Sequence, residues 1–204
     1  MNIGVDLDGV VAAWLDRFIE FYNLTYGKAI KKSDFVRYNI WECDLGLSKE
    51  EGWRVMDEFY NSDDFDSIQL IEGVKDGFLK LAKQDNLFLI TSRTLNTKSK
   101  TDKFLDRYLS DIPIEIYYSR AFNRNDNFSG KLKSEICEEL GINYFVEDCL
   151  DYARDCARVC KRVFLLDNPW NQEQVSGNIT RVNNWREIVE LIQKENIGGK
   201  EDAN

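Results

Sequence analysis

The chain contains no histidine. That absence removes the Ser-His-Asp and Cys-His catalytic units and every imidazole-based metal centre, so acid–base chemistry falls to carboxylates, lysine, tyrosine or cysteine. Cysteine is scarce and poorly spaced: Cys43, Cys137, Cys149, Cys156 and Cys160 are odd in number and form no CxxC pair, which excludes a disulfide framework and a zinc site. Cys156 and Cys160 stand one helical turn apart without co-ligands, so all five read as small buried side chains in a reducing cytoplasm. No apolar run reaches the about 18 residues of a membrane span. The first residues enter a strand without the basic and apolar regions of a signal peptide. There is no internal repeat and no low-complexity segment. Positive charge is also short, with 27 Lys and Arg against 36 Asp and Glu and a net charge of −9. Such a balance excludes a non-specific nucleic-acid surface. It tolerates a small phosphorylated ligand if a bound cation supplies local positive charge. With 204 residues and 43% hydrophobic content, one full core plus an insertion fits the chain.

What is present begins at Ile3–Ala12, IGVDLDGVVA. A short apolar run ends in Asp6, a second acid follows at Asp8, and Gly9 comes next. Strand side chains alternate between faces, so two acids and a glycine at a strand end describe a strand entering a tight turn with carboxylates at its tip. A plain surface turn has the same composition, and the remainder of the chain has to decide between the two.

Helical spacing of Trp14, Phe18, Phe21, Tyr22 and Tyr26 predicts a helix closed by Gly27. Residues 28–47 are mixed and aromatic. Ser48 and Glu51 form the signature of a capping box that opens a second helix through about Tyr60, and residues 61–66 read as an acidic loop. Residues 14–71 are thus a helical insertion after the first strand. Helix and strand then alternate: a helix over 73–84, a buried apolar strand NLFLIT over 86–91, a helix over 97–109, and a strand over 112–118 weakened by Pro113. A polar loop over 119–130 and a helix over 131–140 follow. Next come a short strand into Glu147-Asp148, a helix over 150–160, a strand over 162–166, and the element Asp167-Asn168-Pro169-Trp170-Asn171. The last amphipathic helix ends near Glu195, ahead of a polar tail over 196–204. The expected fold is α/β: a Rossmann-like parallel five-stranded sheet with helices on both faces, made of residues 1–13 and 72–195, with the small helical insertion 14–71.

Ligands of such sheets bind beyond the carboxyl ends of the strands. Asp6, Asp8, Glu147 and Asp148 then meet on one rim, together with Thr91, Ser92 and Arg93. Four unpaired acids repel, and a hard divalent cation resolves the repulsion. Oxygen ligands without His or thiolate favour Mg²⁺. Thr91 and Ser92 offer donors to an anion, and a Lys at the start of a nearby helix adds positive charge. Together these groups describe phosphoryl transfer through an aspartyl-phosphate, one Asp attacking and the other protonating the leaving oxygen.

On these residues the chain resembles the haloacid dehalogenase superfamily of phosphohydrolases. The motifs are Val5-Asp6-Leu7-Asp8-Gly9-Val10, Ile90-Thr91-Ser92, a lysine, and Val146-Glu147-Asp148. The acidic pair is Glu-Asp where Asp-Asp is commoner, which leaves the role of Glu147 open. Lys131 and Lys133 compete as the lysine, and the run after Lys133 toward the acidic pair favours Lys133. The insertion resembles the cap of the superfamily's first cap type. More narrowly, Thr-Ser-Arg, Glu-Asp and the Pro-Trp-Asn element are similar to the branch of 5′(3′)-deoxyribonucleotidases and related nucleotidases. The resemblance implies Asp6 as nucleophile and Asp8 as general acid/base. It implies Mg²⁺ on the Asp6 carboxylate, the Asp8 backbone carbonyl and Asp148, and a phosphate held by Thr91, Ser92 and Lys133.

Each residue also has a plainer reading. Arg93 either reaches the phosphate or pairs with an acid. Phe35, Tyr38 and Trp41 either stack on a nucleobase or fill the core of the cap, and Trp170 has the same two readings. The expected partner is a small phosphorylated substrate, a nucleoside monophosphate foremost, with no nucleic acid and no membrane, and a homo-oligomer is left open. Other small phosphate esters, and a non-catalytic phosphate-binding module, are the competing functions.

Overall fold

The computed structural model describes residues 1–120 and 130–201. Most of the loop predicted at 119–130, and residues 202–204 of the predicted tail, lie outside the described residues. The chain starts with β1 (Asn2–Val5), then α1 (Trp14–Tyr26), α2 (Lys49–Asn61), α3 (Asp63–Asp66) and α4 (Val74–Leu81). There follow β2 (Asn86–Thr91), α5 (Lys98–Leu109), β3 (Ile114–Tyr118), α6 (Lys133–Glu139), β4 (Tyr144–Glu147) and α7 (Leu150–Cys156). The last elements are β5 (Arg162–Leu166), β6 (Ile179–Val182) and α8 (Trp185–Glu201).

The strands form one parallel sheet in the order β3-β2-β1-β4-β5-β6. β1, β2, β4 and β5 are apolar over most of their length because both faces are covered. Val5, Leu89 and Phe164 point to one side, against Phe78, Trp185 and Ile188. Ile90, Phe145 and Leu165 point to the other, against Ile136, Ala153 and Cys156. Register decides the site: Val5 lies opposite Leu89 on β2 and Val146 on β4, so β1, β2 and β4 end within two residues of one another. All five cysteines are free and buried, as expected. Among the described residues, no helix is long and apolar enough to cross a membrane.

The sheet has six strands, one more than expected. β6 pairs with β5 at the sheet's edge, and only Val182 of its four residues is buried. So short a run, with a charge at Arg181, carries too little alternation to be read as a strand. Several element ends shift by one to four residues, α7 closing at Cys156 among them, and two differences go further. The predicted acidic loop 61–66 holds the single-turn α3, because Phe65 turns inward to pack edge-on against Phe59 and Tyr60. The last helix continues past Glu195 to Glu201, into the predicted tail, where no proline stops it.

Between β1 and α4 the inserted helices build their own aromatic core. Trp14 stacks on Phe18 with centroids 4.9 Å apart, and Phe59 meets both rings edge-on. The capping box forms as predicted: Glu51 N donates to Ser48 Oγ at 3.2 Å, and Ser48 N to the Glu51 carboxylate at 2.8 Å. Gly27 ends α1 in the left-handed conformation that a side chain resists.

Candidate active site

The turn after β1 is held from three sides. Val11 N and Ala12 N both donate to Leu7 O, and Gly9 N donates to Ala12 O. From the far end of the chain, Trp185 Nε1 donates to Val10 O at 2.8 Å. Gly9 has φ of +82°, and a Cβ there would lie 2.0 Å from Asp148 Oδ2. Only glycine satisfies both the dihedral and the approach. The two acids flank buried Leu7 and part company: Asp6 is 4% exposed and faces β4, while Asp8 turns toward the loop after β2.

Asp6, Glu147 and Asp148 bring one carboxylate oxygen each within 4.8 Å of the others. Lys133, at the start of α6, places Nζ 2.7 Å from Asp6 Oδ1 and 2.7 Å from Glu147 Oε2. Its ammonium also lies 4.4 Å from the Tyr152 ring centroid. Lys131, the competitor, pairs with Glu139 on the surface. Glu147 is fully engaged, since its second oxygen accepts from Asp148 N at 3.0 Å and Cys149 N at 3.1 Å. It ties Lys133 to the entry of α7. Asp148 differs: its Oδ1 is buried and has no hydrogen-bond partner among the described residues.

Three buried acids against one ammonium leave the cluster short of positive charge. Burial, then Glu147, push the Asp6 carboxyl up to about 7, only partly opposed by Lys133. Burial, Glu147 and Asp6 hold Asp148 well above the usual carboxylate range. Burial works against the Lys133 ammonium, yet Asp6 and Glu147 outweigh it and keep it firmly charged. An oxygen-only donor set with an orphaned carboxylate oxygen fits a hard divalent cation. A stability test follows. Carboxyls raised in the folded state hold protons that the unfolded chain releases at lower pH, so folding weakens as pH climbs from about 4 to about 7. In a chelator, wild type should be less stable than Asp148→Asn at pH 8, with the gap closing toward pH 5, and Mg²⁺ should raise Tm more at pH 8. Calorimetry showing equal Mg²⁺ stabilisation at both pH values would contradict this charge balance.

Arg93 pairs with an acid and also lines the cavity described below. Its Nε donates to Asp8 Oδ2 at 2.8 Å and its Nη2 to Asp8 Oδ1 at 2.5 Å. Thr91 is buried, with Oγ1 accepting from Arg93 N at 3.1 Å, and Ser92 Oγ lies 2.9 Å from Ser119 Oγ. Both Thr91 and Ser92 line a cavity of about 170 Å³ between this rim and the inserted helices.

Phe35, Tyr38, Trp41 and Trp170 all reach that cavity. Phe35 is also core, 2% exposed and edge-on to Phe18. Tyr38 meets Tyr152 edge-on, and Trp41 packs 4.9 Å from Trp53. Trp53, Tyr60 and Tyr152 also line the cavity and went unnoticed in the sequence. On a helix such rings cannot be told from ordinary core positions. The Pro-Trp-Asn element gains a physical role, because Trp170 Nε1 and Asn171 Nδ2 both donate to the backbone carbonyl of Asp148, at 3.1 and 2.7 Å. Asn171 also holds Leu166 O at 2.7 Å, which braces Asp148 against the end of β5.

Known proteins resemble this chain in sequence and in fold. The family model described as 5′ nucleotidase, deoxy (Pyrimidine), cytosolic type C protein matches residues 1–197. YqfW of Bacillus subtilis is 27% identical over 193 residues, covering 94% of this chain and 93% of its own length. Nucleotidase CA_C3379 of Clostridium acetobutylicum is 25% identical over 200 residues, covering 95% of this chain and 94% of its own. The haloacid dehalogenase-like hydrolase family protein SP0104 from Streptococcus pneumoniae shares the fold with a TM-score of 0.67 at 12% identity, over 94% of this chain and 97% of that one.

Proposed function

Since the chain belongs to the family of cytosolic type C 5′ deoxy(pyrimidine) nucleotidases and is a phosphomonoester hydrolase, we propose that it cleaves nucleoside monophosphates by passing the phosphoryl group through Asp6. The observation that carries this reading is the placement of Asp6, Lys133 and Asp148 at the mouth of an aromatic cavity. An Asp6 carboxylate oxygen attacks phosphorus and the bond to the leaving oxygen breaks, with Asp8 giving that oxygen a proton. Asp8 then takes a proton from the water that attacks the phosphorus and frees Asp6. Thr91 and Ser92 present hydroxyls to the phosphate oxygens, and Lys133 balances their charge. Mg²⁺ would be held by the Asp6 carboxylate, the Asp8 backbone carbonyl and Asp148. When bound, it neutralises phosphate charge as the bond breaks. Glu147 holds Lys133 and the entry of α7, and Trp170 with Asn171 fixes the Asp148 backbone. The helical insertion acts as a cap that excludes water over the rim.

The rings of Phe35, Tyr38 and Trp41 suit the flat face of a base. Arg37 and Asn39 line the same cavity and favour a second reading, a small ester with a polar tail. A panel of nucleoside monophosphates and sugar phosphates assayed with Mg²⁺ decides between them. Deoxypyrimidine 5′-monophosphates should give the highest kcat/KM. Equal low rates across the panel would defeat the nucleotidase reading and leave the phosphatase standing.

A further inference from the structure

Asp8 is gripped by a residue that the reaction above leaves without a part. Both of its carboxylate oxygens accept from the guanidinium of Arg93, through Nε and Nη2. The third nitrogen, Nη1, donates to Thr101 Oγ1 at 3.0 Å, and Thr101 Oγ1 donates to Thr97 O at 3.0 Å. The side chain of Arg93 is only 2% exposed. Its flat face is covered by Phe65, whose ring centroid lies 4.8 Å from the guanidinium carbon. Phe65 belongs to the inserted helices, and Thr101 to α5 of the α/β core. Lys100 joins the two, with Nζ 3.3 Å from Asp66 and 5.7 Å from the Phe65 centroid.

We propose that Arg93 is a positioning residue, a fork that sets the plane of Asp8 and makes that plane answer to the seating of the inserted helices. The proposal rests on the reading of Asp8 as the acid/base. Two parallel N–H···O bonds fix a carboxylate in rotation as well as position, which a lysine's point charge does not. A fork held at one end by Thr101 is rigid, and one covered by Phe65 is dry. Both properties strengthen its hold. Phe65 touches Tyr60, which lines the cavity. Arg93 lines the cavity too, so an occupant bears on it directly as well as through the ring that covers it, and through Arg93 on the proton that Asp8 transfers.

The test compares two leaving groups in the full-length protein with Mg²⁺. A nitrophenolate leaves without a proton, whereas a nucleoside alkoxide needs one. Arg93→Lys and Arg93→Met should slow single-turnover release of the leaving group from a deoxypyrimidine 5′-monophosphate at least about tenfold more than from p-nitrophenyl phosphate, because the later hydrolysis of the phosphorylated protein is common to both esters. In an Asp8→Asn background, adding Arg93→Met should change kcat by less than about threefold, since residues acting as one unit are not additive. Phe65→Leu removes the flat face and keeps an apolar side chain, so it serves if the arginine variants fail to fold. It should show the same leaving-group contrast, more weakly. Equal losses in leaving-group release from both esters, or a multiplicative loss in the double variant, overturns the proposal and marks Arg93 as merely structural. Asp8→Asn alone separates the two levels. If it shows no leaving-group contrast, Asp8 is not the acid and both readings fall. If it shows the contrast and the Arg93 and Phe65 variants do not, only the role of Arg93 falls.

Discussion

Asp6→Asn protein should fold normally, turn over no phosphate ester, and be more stable than wild type in the absence of metal. The loss of activity is expected to be at least about 10⁴-fold in kcat, the scale seen when a nucleophile is removed and only binding and electrostatics remain. An asparagine keeps the shape and can still accept from Lys133, so the activity loss reports chemistry rather than collapse. The gain in stability has a separate origin. Ionised Asp6 is unfavourable where it stands, because burial and Glu147 outweigh Lys133 and raise its pKa to about 7. Removing that charge relieves the folded state near neutral pH and does nothing below about pH 4, where the carboxyl is protonated in both states. Phosphate release and thermal unfolding measured on one preparation check both halves. Undiminished turnover would sink the assignment of Asp6. A metal-free Tm that drops at pH 8 would show that the Lys133 pair dominates instead.

Asp8→Asn should slow steady-state hydrolysis of a nucleoside monophosphate by about 10²–10⁴-fold, the range for a general acid/base. With an aryl phosphate the consequences separate. The phenolate leaves unaided, so Asp6 is still phosphorylated, but the water that must attack the phosphorus has lost its base. The phosphorylated protein should therefore accumulate, visible as a phosphoryl adduct in the intact mass after acid quench and absent from wild type at steady state. A wild-type rate in this variant would remove Asp8 from the mechanism, and slow turnover without an adduct would place its effect on the first step alone.

The sequence made the centre of this molecule readable and left its joints obscure. The runs around Val5, Leu89 and Val146 are apolar and followed by polar residues, so strand ends and their shared rim could be inferred. The order Asp6, Thr91, Lys133, Asp148 could be matched to one chemistry without distances. The same rule that worked there failed at β6, where four residues with one buried side chain offer no pattern. It also mistook 61–66 for loop, since the force that folds α3 is the tertiary pull on Phe65 rather than any local preference. The partners of the acids were the least legible. Arg93 and Asp8 are 85 residues apart, as are many Arg and Asp pairs that never meet. The saturation of Glu147 by two backbone amides and Lys133 depends on how α6 and α7 begin, and so does the orphaned oxygen of Asp148. Register and helix entry determine those contacts, and neither is written in residue spacing.

The bond from Trp185 to the carbonyl of Val10 spans 175 residues. Synthesis delivers the turn that carries Asp6 and Asp8 long before the side chain that steadies it. Contacts of such separation form late, after much loop-closure entropy has been overcome. The growing chain therefore carries Asp6 and Asp8 on an unbraced turn until Trp185 has been made. A change at Trp185 thus reaches a turn 175 residues away.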